Sequence, residues 1–359
     1  MAETFVTRTY LPPLEEYVER LRGIWERNQV TNHGPLVLEL EEKLRKRMGA
    51  KHVFFVANGT IALQVALKAL AVTGEVITTP FSYVASTSSI AWEGAVPVFA
   101  DIDPRTLTID VEQVERAING RTRAVLATHV YGNPCDVLAL EELCKRRGVK
   151  LIFDAAHAFD VRFAGRQLVT FGDVSALSFH ATKLFHTIEG GAVVCDDDEL
   201  AARIAYMRNF GHAGYEAFQG LGINGKNCEL HAAMGLCLLP RVEEFIRERK
   251  ALHAAYDLSM RGSLVVKPEI RAGADWNYSY YPILLPDEAA LLRAREALNA
   301  RKVFPRRYFY PALTSLPYPP KARVPVAEDV ARRALCLPLF SGLPEALAAE
   351  IGRVVREAL

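Results

Sequence analysis

The chain has 359 residues, a formal net charge of +1, and charged residues at 24% of its length. This length allows a large core and two domains, while the balanced charge argues against a broad basic surface for nucleic acid or an anionic membrane. We expect a cytoplasmic protein without export or a membrane span, because no apolar run reaches about 18 residues and the N-terminus has no signal-peptide pattern. The six cysteines contain no CxxC pair, which is typical of reduced, buried thiols, and we expect no metal site.

The first predicted element is a helix over residues 14–26, which we expect to pack on the domain through its apolar positions Leu14, Val18, Leu21 and Trp25. From residue 53 onward, strand-like and helical segments alternate. This alternation predicts right-handed crossovers and a mostly parallel sheet over about 50–235, so the fold class is α/β. The remainder is predicted to be a smaller α+β domain, which divides the chain into domains 1–239 and 240–359.

The first chemically informative turn is Asn58-Gly59-Thr60, between a strand at 53–56 and a helix that runs to about Leu70. Asn58 is expected to cap this helix. Free backbone amides at a helix start, next to a residue without a side chain, form an anion site. The sequence therefore predicts phosphate binding at Gly59 and Thr60.

An aromatic residue, Tyr83, follows the next strand, at 75–79. Large aromatic side chains are often buried in the core, so Tyr83 could pack there. Its place at a strand end also allows stacking on a bound ring. His129, at the end of a strand at 124–128, is expected to be structural or to act through a neighbour.

The strand Lys150-Leu151-Ile152-Phe153 ends in a carboxylate, Asp154. Buried acids are rare unless they are paired. The carboxyl end of a buried strand in an open α/β sheet is where such sheets bind ligands. Asp154 is therefore a candidate site residue.

A single lysine, Lys183, lies between strand-like runs at 174–179 and 192–195. A lysine held at the end of a buried strand loses its proton easily, as a Schiff-base lysine must. This stretch alone leaves a surface or structural lysine as an alternative. Three strand ends together, however, offer a phosphate cradle, an acid and a lysine, which are the parts that a pyridoxal phosphate enzyme uses.

These motifs resemble the DegT/DnrJ/EryC1/StrS family of sugar aminotransferases over almost the whole chain, from Thr31-Asn32-His33-Gly34-Pro35 to Leu335-Cys336-Leu337-Pro338. The most specific motif is Ser178-Phe179-His180-Ala181-Thr182-Lys183 with Glu189-Gly190-Gly191. Within the family, the chain is most similar to the viosamine-type transaminases of dTDP-4-keto-6-deoxyglucose. Three stretches carry that narrower resemblance: Thr128-His129-Val130-Tyr131-Gly132-Asn133-Pro134-Cys135-Asp136, Leu184-Phe185-His186-Thr187-Ile188 and Arg306-Arg307-Tyr308-Phe309-Tyr310-Pro311.

The resemblance implies a fold-type I enzyme that transfers an amino group from L-glutamate to a nucleotide-linked 4-keto-6-deoxy sugar. The product would be a 4-amino-4,6-dideoxy sugar for a surface polysaccharide, such as a lipopolysaccharide O-antigen, or for natural-product glycosylation. Lys183 would form a Schiff base with pyridoxal 5'-phosphate, and Asp154 would hold the ring nitrogen. The resemblance gives the other cofactor contacts as the amides of Gly59 and Thr60 and the Ser178 hydroxyl on the phosphate, His157 on the phenolic oxygen, and Tyr83 on the ring face.

Two further expectations concern substrate and assembly. Asn224 would reach the cofactor phosphate of the partner subunit, which implies a homodimer with shared active sites; a glycine-rich surface connector is the alternative for this segment. We assign substrate contacts to Glu189, Arg307 and Tyr310. A solvated charge pair beside core aromatics is an equally good interpretation of Arg307 and its neighbours.

The chain departs from the family at two positions. Asp160 stands where glycine is usual after Ala156-His157-Ala158-Phe159, and Asn58 replaces a common serine. A related sugar dehydratase replaces the lysine by histidine, so Lys183 argues against that activity. A transaminase for a cyclitol, a 3-keto sugar or a GDP- or UDP-linked sugar stays open, as does a catalytically silent regulator. A nicotinamide enzyme is disfavoured, because no GxGxxG follows the first strand.

Overall fold

The computed structural model describes residues 3–359, and over that range the chain forms fourteen strands and twelve α-helices. The strands are β1 (Thr4–Phe5), β2 (His52–Val56), β3 (Glu75–Thr78), β4 (Val96–Phe99), β5 (Thr122–Thr128), β6 (Lys150–Asp154), β7 (Arg162–Phe163), β8 (Arg166–Gln167), β9 (Val174–Ser178), β10 (Gly191–Cys195), β11 (Ala274–Asp275), β12 (Tyr281–Leu284), β13 (Val303–Phe304) and β14 (Ala334–Leu337). The helices are α1 (Leu14–Arg27), α2 (Pro35–Met48), α3 (Gly59–Ala69), α4 (Val84–Trp92), α5 (Val111–Ala117), α6 (Val137–Arg147), α7 (Asp198–Met207), α8 (Glu229–Leu238), α9 (Val242–Ser259), α10 (Glu288–Asn299), α11 (Pro325–Arg333) and α12 (Glu345–Glu357).

Seven strands form the central sheet, in the order β2-β10-β9-β6-β5-β3-β4. Strands β4, β3, β5, β6 and β9 pair in parallel, which confirms the predicted mostly parallel sheet. Strand β10 runs antiparallel to both of its neighbours, β9 and β2. No helix lies between β9 and β10, and strands joined without a crossover pair antiparallel.

The strands of this sheet are buried on both faces, because successive side chains of a strand point to opposite sides. Phe153 and Leu177 belong to the core on one face, and Ile152 and Ala176 to the core on the other. Helices cover both faces. The carboxyl ends of β5, β6 and β9 therefore lie together at one edge, where polar side chains can meet.

The C-terminal part of the chain has its own core, in which the antiparallel pair β12 and β14 packs with α9, α10 and α12. A short 3-10 turn, Leu239–Arg241, separates α8 from α9. The division at residues 239 and 240 stays a prediction. A further apolar cluster joins this part to the strand ends of the large sheet and includes Phe81, Tyr131, Tyr280 and Phe309.

Helix α1 packs on the domain, as expected, and its partner there is α8. Ile24 is buried and the Tyr17 hydroxyl donates to the Leu230 carbonyl at 3.1 Å. Of the expected apolar stripe, Val18 and Leu21 are half-buried, whereas Leu14 and Trp25 are exposed and were predicted wrongly. Within residues 3–359, no helix combines the length and apolar composition needed to span a bilayer.

Candidate active site

The carboxyl ends of the parallel strands open into a cavity of about 550 Å³, a volume typical of small-molecule sites. Eight of the predicted site residues line it: Gly59, Thr60, Tyr83, Asp154, His157, Ser178, Lys183 and Glu189. The structure does not bring Asn224, Arg307 or Tyr310 into this cavity. Among residues 3–359, no group of three or more His, Cys, Asp and Glu side chains is placed to hold a metal ion.

Lys183 lies on the loop between β9 and β10, at the base of the cavity. Its backbone N–H donates to the His180 carbonyl at 2.8 Å, which closes a tight turn immediately after β9. Burial lowers the pKa of Lys183 to about 8, and the negative charge of Asp154 opposes that shift. The amine can therefore exchange a proton near neutral pH.

Asp154 is buried at the end of β6 and is held at both carboxylate oxygens. The Ser86 hydroxyl donates to Oδ2 at 2.7 Å, and the Ala156 N–H donates to Oδ1 at 3.1 Å. Burial raises the pKa of Asp154, while these two hydrogen bonds and the positive charge of Lys183 lower it. Ser86 was not among the predicted site residues, and its one sequence signal is a hydroxyl in the first turn after Tyr83.

The turn after β2 forms the predicted cradle. The Asn58 side chain caps α3 by accepting the Ile61 N–H at 2.9 Å, as expected, and the amides of Gly59 and Thr60 stand at the helix start. A Cβ atom at Gly59 would lie 2.9 Å from the Ser178 Cβ, so only glycine lets this turn approach the end of β9 so closely. Helix N-terminal amides and a nearby hydroxyl suit a phosphate group.

Two ring side chains line the cavity above its base. Tyr83 is 60% exposed at the N-terminus of α4, so the alternative of a packed core aromatic is wrong. The His157 Nδ1 accepts the Tyr131 N–H at 3.2 Å, and burial holds the pKa of His157 well below its ordinary value. His157 is therefore a neutral imidazole that carries its hydrogen on Nε2, where it can donate to an oxygen of a ligand.

The hydroxyl of Thr128 is a further polar group available to a ligand. Thr128 pairs with Asp154 across β5 and β6, lines the cavity, and its buried Oγ1 has no hydrogen-bond partner among residues 3–359. Because Thr128 lines the cavity, its free hydroxyl can bond a polar group that enters there. Together with the cradle, the acid and the lysine, it fits pyridoxal phosphate.

Arg306, rather than Arg307, faces the cavity. Arg306 forms a two-way backbone bridge with Cys336, and successive side chains of an extended segment point to opposite sides. Arg307 therefore turns away: it donates to the Glu288 carboxylate at 2.7 Å and lies 3.4 Å over the Tyr310 ring. The alternative for Arg307, a solvated charge pair beside core aromatics, is met only in part, because the Arg307 side chain is 11% exposed and Tyr310 is itself exposed.

Asn224 lies in the glycine-rich segment, where its Oδ1 accepts from the Lys226 ammonium at 2.8 Å. The same segment exposes the apolar side chains of Phe210, Phe218 and Leu221. A role of Asn224 at the partner subunit stays a prediction.

Asp160 adopts a left-handed backbone with φ of 62°, the conformation that glycine favours. Its carboxylate also accepts two hydrogen bonds from Arg47, at 3.0 and 2.7 Å. The residue that departs from the family pattern thus keeps the turn and adds an ion pair to α2.

Comparisons with protein families, known proteins and solved structures agree with one another. The model of the DegT/DnrJ/EryC1/StrS aminotransferase family matches residues 14–356. The chain is 40% identical over 360 residues to a dTDP-4-amino-4,6-dideoxy-D-glucose transaminase of Shigella dysenteriae, covering 98% of each chain. It is 37% identical to an Escherichia coli protein of the same name, covering 98% of this chain and 97% of that one. The crystal structure of DesI in the presence of its TDP-sugar product superposes with a TM-score of 0.94 at 35% identity, covering 99% of this chain and 93% of that one.

Proposed function

The chain belongs to the DegT/DnrJ/EryC1/StrS aminotransferase family, and we propose that it aminates dTDP-4-keto-6-deoxyglucose at C4 with L-glutamate as the amino donor. The family assignment makes it a pyridoxal-phosphate-dependent sugar aminotransferase. The observation that carries the proposal is the meeting of Lys183 and Asp154 at the base of a cavity whose lining includes an arginine. Within residues 3–359, that arginine, Arg306, has no carboxylate within ion-pair distance.

Lys183 is the group that moves a proton. When bound, pyridoxal phosphate supplies an electron sink for the carbon that loses a proton. Burial lowers the pKa of Lys183 to about 8 in the cofactor-free protein, so its amine can lose a proton near neutral pH and can then accept one at Nζ. Proton transfer by a positioned group typically contributes about 10² to 10⁴ in rate.

The other residues of the base hold and orient the cofactor. Asp154, kept as a carboxylate by Ser86 and Ala156, would accept a hydrogen bond from a protonated ring nitrogen. Gly59, Thr60 and Ser178 would hold the phosphate. The His157 Nε2–H would donate to the phenolic oxygen.

We assign substrate recognition to residues in the outer part of the cavity. Arg306 can bind the diphosphate of a nucleotide sugar with its planar guanidinium, which suits two-point contacts with phosphate oxygens. Glu189 lies 3.5 Å from the His180 Nε2 and can accept a hydrogen bond from a sugar hydroxyl. Arg307 and Tyr310 are left out of this role because they contact each other outside the cavity.

The assembly we propose is a cytoplasmic homodimer in which Asn224 reaches the cofactor phosphate of the partner subunit. Two features support it. Asn224 lies outside the cavity of its own subunit, and the surrounding segment exposes large apolar side chains. The aminated sugar would serve a surface polysaccharide, such as an O-antigen, or natural-product glycosylation.

The test is a two-step absorbance experiment on the purified enzyme loaded with pyridoxal phosphate. L-Glutamate is expected to remove the visible band of the lysine-bound cofactor, and dTDP-4-keto-6-deoxyglucose is expected to restore it. NMR of the product should place the amine at C4. GDP- and UDP-linked keto sugars and a 3-keto sugar serve as competing acceptors, and faster recovery with one of them would overturn the substrate proposed. A visible band that no amino donor removes would favour the silent regulator.

A further inference from the structure

Two buried hydroxyls link the start of α4 to Asp154. The Ser86 Oγ lies 2.7 Å from the Asp154 Oδ2 and 3.0 Å from the Ser82 Oγ. The Ser82 Oγ also lies 3.0 Å from the Tyr83 carbonyl oxygen. All three side chains are buried, so water does not compete for these contacts.

The direction of the hydrogen bonds follows from the chemistry of the groups. An ionised carboxylate can only accept, so the single Ser86 proton points to Asp154. The single Ser82 proton can then go either to the Ser86 oxygen or to the Tyr83 carbonyl oxygen, each at 3.0 Å. If Asp154 were protonated, the Ser86 hydroxyl could turn to the Tyr83 carbonyl, which lies at 3.4 Å. The pair of serines therefore favours the charged form of the acid.

The surroundings of Asp154 make this support necessary. Burial disfavours the charge, and within residues 3–359 Lys183 is the charged side chain that acts on the carboxylate, while His157, which lines the same cavity, is neutral. His129, at the end of the neighbouring β5, is buried against Phe153 and burial holds its pKa at about 3, so it contributes no positive charge. When Lys183 gives up its proton, the hydrogen bonds from Ser86 and Ala156 are the remaining stabilising contacts.

We propose that Ser86, with Ser82 behind it, is a positioning residue that keeps Asp154 ionised and fixed towards the ring nitrogen of the cofactor. This inference rests on the proposed function, because it takes a protonated ring nitrogen as the partner of Asp154. Helix α4 would then position Asp154 through Ser86, in addition to presenting Tyr83 at the cavity.

The test compares Ser86→Ala with Ser89→Ala in the full-length enzyme. Ser89 is buried on the same helix and its Oγ has no hydrogen-bond partner among residues 3–359, so its loss removes a buried hydroxyl but no bond. In the cofactor-free enzyme, the carboxyl titration of Asp154 is followed by infrared spectroscopy, with Asp154→Asn as the subtraction standard. Ser86→Ala is expected to raise the titration midpoint by about one to two pH units, and Ser89→Ala to leave it unchanged.

In the loaded enzyme, Ser86→Ala should slow the glutamate half-reaction about 10- to 100-fold and move its acid limb to higher pH, with little change in KM. Ser86→Thr keeps the hydroxyl and should restore both values. Ser82→Ala should shift the infrared midpoint in the same direction by less, and it decides the matter if Ser86→Ala does not fold.

An unchanged midpoint in Ser86→Ala, or an equal shift in Ser89→Ala, would overturn the proposal. The infrared titration needs neither cofactor nor substrate. A failure of the enzyme to react with glutamate would therefore count against the proposed function and would leave the titration result standing.

Discussion

Asp160 has two opposing effects on the free energy of unfolding, and replacing it can separate them. The left-handed backbone costs a non-glycine residue about 1 kcal/mol, so Asp160→Gly should gain that amount. The same change removes both hydrogen bonds to Arg47, whose side chain and that of Asp160 are 19% and 15% exposed. Breaking a fully buried pair costs about 3–5 kcal/mol, and we expect about 2–3 kcal/mol here because water still reaches both groups and Glu243 also contacts Arg47.

The two terms predict that Asp160→Gly destabilises the enzyme by about 1–2 kcal/mol and Asp160→Ala by about 2–3 kcal/mol, because alanine loses the pair and keeps the backbone strain. Asp160→Asn should lie between wild type and glycine, since asparagine tolerates the left-handed region and keeps one acceptor. Urea unfolding of the cofactor-free enzyme measures the three values. An Asp160→Gly variant as stable as the wild type would refute the reasoning, because the ion pair would then contribute no more than the strain.

Three further predictions concern the site. Arg306→Gln should raise KM for the nucleotide sugar at least about tenfold with little change in kcat. Arg307→Gln is the matched control and should leave KM near the wild-type value. Equal effects of the two changes on KM would contradict the assignment of Arg306 to the substrate site. Because burial lowers the pKa of Lys183 to about 8, stopped-flow capture of pyridoxal phosphate by the cofactor-free enzyme should speed up through that pH and level off above it, and a midpoint near the ordinary lysine pKa would contradict the burial argument. Equal mixing of the inactive variants Lys183→Ala and Asn224→Ala should restore about a quarter of wild-type activity if sites are shared across a two-fold dimer, and none if Asn224 acts within its own subunit.

The sequence predicted the parts of the site that depend on short stretches of chain. The cap at Asn58 and the lysine after β9 each follow from fewer than ten neighbouring residues, and the structure places the corresponding groups in one cavity. Arg306 could not be distinguished from Arg307, because the side that each faces is fixed by a backbone bridge to Cys336, thirty residues away. The pairing of β10 with β2 likewise joins residues that are remote in sequence.

Lys183 and Asp154 differ in charge state because they differ in their hydrogen bonds. Burial favours the neutral form of both groups, raising the pKa of the acid and lowering that of the amine. Asp154 has two donors, Ser86 and Ala156, that offset the effect of burial. The Lys183 ammonium has no hydrogen-bond acceptor within residues 3–359, so burial acts on it with only the charge of Asp154 in opposition. The structure therefore favours the charged form of Asp154, which must pair with a protonated ring nitrogen. It lowers the pKa of Lys183, which must transfer a proton.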